Sequence, residues 1–138
     1  MHSRILVIAH KFPPYFGVGS QRWEYLSKEL RLLGYDLYII TVDRGQVIAN
    51  ENLIFYSKSD LFYKAIAIKF KHKILNALYH KFLDFIRKLI WFDDEAQYWG
   101  RTLIRDATAL IKKRDISILI ATGHPFQVNR WAGEIKRL

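Results

Sequence analysis

The chain contains no cysteine, so neither disulfides nor thiolate metal sites contribute to it, and thiol redox chemistry is excluded. This fits a reducing cytoplasm. No run reaches the roughly 18 uncharged apolar residues needed to span a bilayer, and the sequence enters an apolar strand pattern by Arg4, leaving no space for a secretory leader. A cytoplasmic protein, free or peripheral on the inner face of a membrane, is expected. Internal repeats and low-complexity segments are missing too, and no His/Asp/Glu spacing resembles a metal site; His72 and His80 are eight positions apart. No metal is expected. With 138 residues, one hydrophobic core can be built, but two nucleotide-fold domains cannot.

What is present begins with an alternation of elements. Ile5-Leu6-Val7-Ile8-Ala9 is a continuous apolar strand of the kind covered on both faces in a parallel sheet. The segment His10 to Ser20 follows as a glycine-bearing loop at the strand's carboxyl end, where backbone amides can approach a ligand. Ser20 reads as an N-cap, Trp23, Leu26, Leu30 and Leu33 as the apolar stripe of a helix, and Gly34 as its left-handed terminus. Tyr35 to Val42 reads as a second strand, closed by the turn signal Asp43-Arg44-Gly45. Together these form a βαβ crossover, expected to be right-handed. Asn52 to Tyr56 is a short strand. Further on, Asp93 and Asp94 open a helix with Ala96, Trp99, Leu103, Ala107 and Leu110 on one face and Lys112-Lys113-Arg114 at its end. Ile116 to Ala121 then reads as a buried strand, and Pro125 as the first turn of a last helix with Val128, Trp131, Ile135 and Leu138 inward. A parallel sheet of order 3-2-1-4, flanked by helices, is the economical topology.

The net charge of +9 is concentrated between residues 58 and 90, where eight Lys or Arg oppose only Asp60 and Asp84. Leu75, Leu78, Tyr79, Phe82, Ile86 and Leu89 share one face of a helix there, with Lys73, His80, Lys81, Arg87 and Lys88 opposite. The pattern has three readings: a crossover helix with its stripe in the core, a contact with an anionic membrane through Lys73, Lys81, Arg87 and Lys88, or a basic nucleic-acid surface. The crossover helix is the leading reading; the additional apolar residues Ile66, Ile68, Phe70, Ile74, Phe85, Ile90, Trp91 and Phe92 exceed what one stripe needs and keep the membrane second, and no nucleic-acid motif is present, so no nucleic-acid partner is expected.

Three segments carry a family resemblance. Phe12-Pro13-Pro14, the loop Gly17-Val18-Gly19, Arg22 and Leu33-Gly34-Tyr35-Asp36 resemble the opening of the family 4 glycosyltransferases, with its P-P-x-x-G-G-x-x-x-R pattern. Asp115 to Phe126, reading D-I-S-I-L-I-A-T-G-H-P-F, is similar to that family's D-V-I-x-A-T-G-P-P-F. Between them, Trp91 to Trp99 resembles an acidic turn with tryptophan. Here Val18 separates the two glycines and His124 stands where a small residue or proline is commoner. The resemblance implies a Rossmann-like α/β domain, one half of the two-domain GT-B architecture. It implies the acceptor-binding half of a retaining, metal-independent enzyme that transfers sugar from a nucleotide-sugar to a lipid-linked saccharide in surface polysaccharide biosynthesis.

On that reading the nucleotide-sugar is a co-substrate held mainly by a missing carboxyl-terminal domain, no cofactor binds tightly, and residues 1–138 alone are inactive. The sequence ends at Leu138 before the next expected strand, so an uncovered edge and self-association are also expected. The cleft residues would be His10, Gly17, Val18, Gly19, Arg22, Gly123, His124 and Pro125. Each also has a structural role available: the glycines can simply shape a turn, His10 can close a strand, His124 can bond backbone and Arg22 a surface carboxylate. Two other functions remain open. Gly-Val-Gly-Ser-Gln-Arg resembles a dinucleotide fingerprint with Arg22 at the third glycine, which would suit an oxidoreductase, and the basic helix alone would suit a non-catalytic docking module.

Overall fold

The computed structural model describes residues 3–15, 17–43, 53–58, 68–90, 96–123 and 125–138. The turn at Arg44-Gly45, the segment Trp91 to Glu95 and His124 lie outside them. Four parallel strands, β1 (Arg4–Ile8), β2 (Asp36–Asp43), β3 (Ile54–Lys58) and β4 (Ile118–Ala121), form one sheet in the order β3-β2-β1-β4. The helices are α1 (Val18–Leu32), α2 (Lys73–Ile90), α3 (Gly100–Arg114), which continues a 3₁₀ turn at Gln97–Trp99, and α4 (Gln127–Lys136). This is the α/β, Rossmann-like arrangement expected from the sequence, including the strand order.

The uninterrupted apolar run of β1 has its reason in the two cores. Leu6 and Ile8 point to one face, where they meet Trp99, Leu103, Ala107 and Leu110 of the α3 unit and Val128 and Ile135 of α4. Ile5, Val7 and Ala9 point to the other face and meet Trp23 and Leu30 of α1. Side chains alternate along a strand, so a strand roofed on both sides must be apolar at every position. The face read for residues 96–110 is buried throughout.

Several expectations are corrected. α1 starts at Val18 behind an extended Gly17, not behind Ser20, and no side chain caps it. Ser20 is buried in the first turn. The inward stripe of α1 is Ser20, Trp23, Ser27 and Leu30, whereas Leu26 and Leu33 are exposed. Serines at the buried positions keep that face thin, and Ser27 Oγ satisfies itself by donating to the Trp23 carbonyl. β3 lies two residues later than read, paired from Ile39↔Ile54 onward. β4 is an edge strand of mixed exposure rather than a buried one, because β1 is its neighbour on one side and no described strand pairs with the other. Pro125 stands just before α4, accepting the Val128 amide at 3.2 Å, and Leu138 is exposed.

A further correction concerns α2. Its apolar residues enter neither core: Ile74, Leu75, Leu78, Phe82, Phe85 and Leu89 are 54% to 78% exposed. The core-stripe reading of this helix is therefore excluded for those residues, and no extended interface joins α2 to the sheet.

Gly34, at φ 87, ends α1 in the left-handed conformation that glycine adopts without penalty, and its amide donates to Arg31 O at 2.9 Å. α3 ends the same way at Asp115, φ 50, but with a side chain. Left-handed backbone costs a non-glycine residue about 1–2 kcal/mol. The ion pair Asp115 makes with Arg4 at 3.6 Å is solvated and weak. Asp115→Gly should raise stability by about 0.5 kcal/mol once the extra freedom of glycine in the unfolded chain is subtracted, read as a higher urea midpoint.

Candidate functional site

The carboxyl ends of β1 and β4 lie side by side, with Ile8 paired to Ala121. The loops that leave them are 112 positions apart between Lys11 and Gly123 yet line one cleft of about 480 Å³. The first loop brings Lys11, Tyr15, Gly17, Val18, Gly19, Ser20, Arg22 and Trp23, and the second brings Thr122 and Gly123. In open parallel sheets this crevice at the strand ends is where ligands bind.

The chemistry of the cleft is that of an anion site. The first helical bond of α1 runs from the Gln21 amide to the Gly17 carbonyl at 3.0 Å. The amides of Val18, Gly19 and Ser20 precede that bond, at the positive end of the helix dipole, and no acidic residue lies in this first turn. Lys11 and Arg22 add two cations, and among the described residues no carboxylate lines the cleft. Lys11 Nζ stands 5.3 Å from the centre of the Tyr15 ring, which holds it at the rim. Ser20 Oγ and Thr122 Oγ1 are buried and form no hydrogen bond among the described residues, although both residues border this space. Buried hydroxyls ordinarily have partners, so each is open to a ligand or water.

The glycines leave the backbone open. A Cβ on Gly19 or Gly123 would meet nothing within 4 Å, so neither is required by the protein's own packing. A Cβ on Gly17 would touch Tyr15 at an ordinary 3.6 Å.

Of the residues expected from the sequence, Gly17, Val18, Gly19, Arg22 and Gly123 come together here. Pro125 is fully buried and lies outside the cleft lining. His10 is fully buried as well, and its ring meets Trp99 edge-on at 5.5 Å between centroids. The alternation along β1 explains this: His10 continues the Leu6, Ile8 side toward α3, away from α1. It lines a recess of about 20 Å³, with Phe12, Pro14, Tyr15, Thr41, Val42 and Tyr56, which has room for one water-sized group. Tyr15 forms a wall of both spaces.

Lys11, Tyr15, Ser20, Trp23 and Thr122 were not singled out from the sequence as site residues. Ser20 was readable, since a residue three places after the loop's first glycine falls in the first helical turn, but its cap assignment hid it. Thr122 belongs to the A-T-G-H-P segment and was passed over for its neighbours. On α2, Lys73, Lys81 and Lys88 are exposed, and the side chain of Arg87 lies outside the described residues. Among the described residues no group of three or more His, Asp or Glu is placed to hold a metal ion. No family model, curated protein or solved structure matches the chain.

Proposed function

We propose that the chain is the acceptor-side domain of a GT-B glycosyltransferase resembling family 4, acting on a nucleotide-sugar donor and a lipid-linked saccharide acceptor on the cytoplasmic side of a membrane. One observation carries the reading. The two segments that resemble the family, far apart in sequence, converge on a single cleft rich in amide, hydroxyl and cationic groups. The cleft suits a phosphate-bearing substrate: helix-terminal amides and the Arg22 guanidinium are its recognised partners.

In this mechanism the acceptor hydroxyl approaches the anomeric carbon on the face that the donor diphosphate leaves, so configuration is retained: the new carbon–oxygen bond forms as the bond to diphosphate breaks, and the hydroxyl proton passes to the departing phosphate oxygen. Two facing domains close to align the reacting atoms and exclude water, which supplies much of the rate. The amides of α1, with Lys11 and Arg22, stabilise phosphate charge as it grows on the leaving group or hold an acceptor phosphate. The open outer edge of β4, with Ile118 partly exposed, is where a further strand from the following sequence would pair.

Residues 1–138 alone should give no sugar transfer, because one wall of a two-walled site cannot hold both reactants in attack geometry. Transfer should appear when the chain is joined to the sequence that follows it in its gene, assayed with radiolabelled nucleotide-sugars and a polyprenyl-diphosphate saccharide. Turnover by the isolated domain, or none by the joined protein with any donor, would sink the assignment. The oxidoreductase reading would instead require saturable NAD(H) binding by this domain.

A further inference from the structure

Among the described residues the outer face of α2 packs into neither core, and its composition specifies a partner. Over 18 residues the helix is about 27 Å long. At 100° per residue, Ile74, Phe85, Leu78, Leu89, Phe82 and Leu75 fall in that order within one continuous arc of about 100°. All six are exposed. Lys81 and Lys88 lie a two-turn step apart along one margin of this arc, with Lys73 behind them, and all three are exposed. Asp84 is the lone acidic residue of the helix. The opposite side, with Asn76, Tyr79, His80, Leu83 and Ile86, is half-buried, and there Tyr79 stacks edge-on with Phe70 at 5.1 Å while the Phe70 amide donates to Asn76 Oδ1 at 3.2 Å. The helix thus has an anchored side and a free side, and the free side is apolar with a basic border.

We propose that this free face docks on an anionic lipid surface, with the helix lying in the plane of the interface. Leu and Phe on one arc with lysines at its margin match the depth profile of a leaflet, with acyl chains beneath the arc and phosphate headgroups at the lysine border. Insertion across the bilayer is excluded for the described helices, none of which is long and apolar enough. Charge argues against a second copy as the occupant, because pairing two such faces would bring together two helices of net +3 each, four Lys or Arg against Asp84. The inference does not rest on the transferase reading: a docking module without catalysis would carry the same face.

The test uses the whole chain and flotation with vesicles of phosphatidylcholine alone or with about one-third phosphatidylglycerol. Binding should require the anionic lipid and fall with salt, since exposed charges are screened beyond about 10 Å at 0.1 M. The triple variant Lys73→Gln, Lys81→Gln, Lys88→Gln should lower partitioning about a hundredfold at low salt, from about a fivefold contribution per basic group near an anionic surface. Phe82→Ser with Phe85→Ser should lower it at least about tenfold through lost apolar burial. Both variants should keep the wild-type unfolding temperature, because none of these side chains is in either core. The proposal is overturned if wild type ignores the anionic vesicles, or if the serine variant binds as tightly as wild type, which would mean diffuse charge attraction only. A concentration-dependent dimer that the serine substitutions dissolve, with lipid ignored, would assign the face to a second copy. Failure of sugar transfer in the joined protein with vesicle binding retained would remove the proposed function and leave this inference standing.

Discussion

Gly100→Ala should destabilise the fold by about 3 kcal/mol, the largest effect expected of adding a single methyl group to this chain. Gly100 opens α3, and a Cβ there would sit 2.5 Å, 2.6 Å and 2.7 Å from three ring atoms of Trp131 on α4. Real Cβ contacts do not reach such distances, so the indole or one helix must shift. The indole is not free to swing away: its Nε1–H donates to the Ala96 carbonyl at 3.0 Å, and Arg130 stacks on it at 5.1 Å. Overpacking of this kind costs about 1–3 kcal/mol, and the loss of a partly buried hydrogen bond adds about 1 kcal/mol. Better helix propensity returns at most about 1 kcal/mol, less in a first turn. The alternative, that α4 simply rides outward, is measurable. Adding Trp131→Leu should make room for the new methyl, so the double variant should be more stable than the sum of its parts implies, by about 1 kcal/mol or more of coupling. Urea unfolding of the four proteins gives the cycle. Additive losses would mean that α3 and α4 separate rather than clash.

This glycine was not legible in the sequence, and the reason is instructive. Element existence follows from periodicity, and the strands, the strand order and the buried face of α3 were all readable because each expresses a pattern along one segment. Gly100 and Trp131 are 31 positions apart, and their contact is a property of the crossing between two helices. The same limit explains α1. A stripe of Trp23, Leu26, Leu30 and Leu33 has good helical spacing, but packing against the sheet selects the arc through Ser20, Trp23, Ser27 and Leu30, where two small residues permit close approach. Hydrophobicity marked the helix correctly and its orientation wrongly.

α2 shows the converse. Its amphipathic pattern was clear, yet the pattern alone cannot say whether an apolar arc faces a core, a membrane or another chain; the exposure of Phe82 and Phe85 removes the core from that choice. For the cleft, loop position at the carboxyl end of β1 was enough to bring Gly17, Gly19 and Arg22 to one lining. His10 was placed at the right strand end but on the wrong side. Parity along β1 would have corrected it, since the residue two beyond Ile8 shares the Ile8 face.

Removing both cations of the cleft with Lys11→Ala and Arg22→Ala should weaken binding of a nucleoside diphosphate or of inorganic pyrophosphate by about a hundredfold. Each charge-assisted hydrogen bond to phosphate is worth about 1.5–3 kcal/mol, and partial exposure of this rim to solvent holds the pair toward the lower end. The two side chains lie outside the cores, so the unfolding temperature should not move. A separate substitution tests the backbone part of the site. Gly19→Leu places a side chain where nothing of the protein stands within 4 Å, so the fold should accept it and the first turn of α1 should gain slightly in propensity. That side chain would occupy the cleft and stand over the amides of Val18, Gly19 and Ser20, displacing the anion. Affinity should fall by at least about tenfold while stability holds or rises, an opposition that a merely structural glycine does not produce. Thr122→Val completes the set: it removes a buried hydroxyl that has no partner among the described residues, so it should leave the apo fold unharmed or firmer and weaken the complex by about 1 kcal/mol if that hydroxyl meets the ligand. Titration calorimetry on the chain, with differential scanning on the same samples, reads both quantities. Loss of binding in the cation variant with full binding in Gly19→Leu would move the anion from the helix terminus to the outer rim, and unchanged binding in all three variants would dismiss the cleft as an anion site.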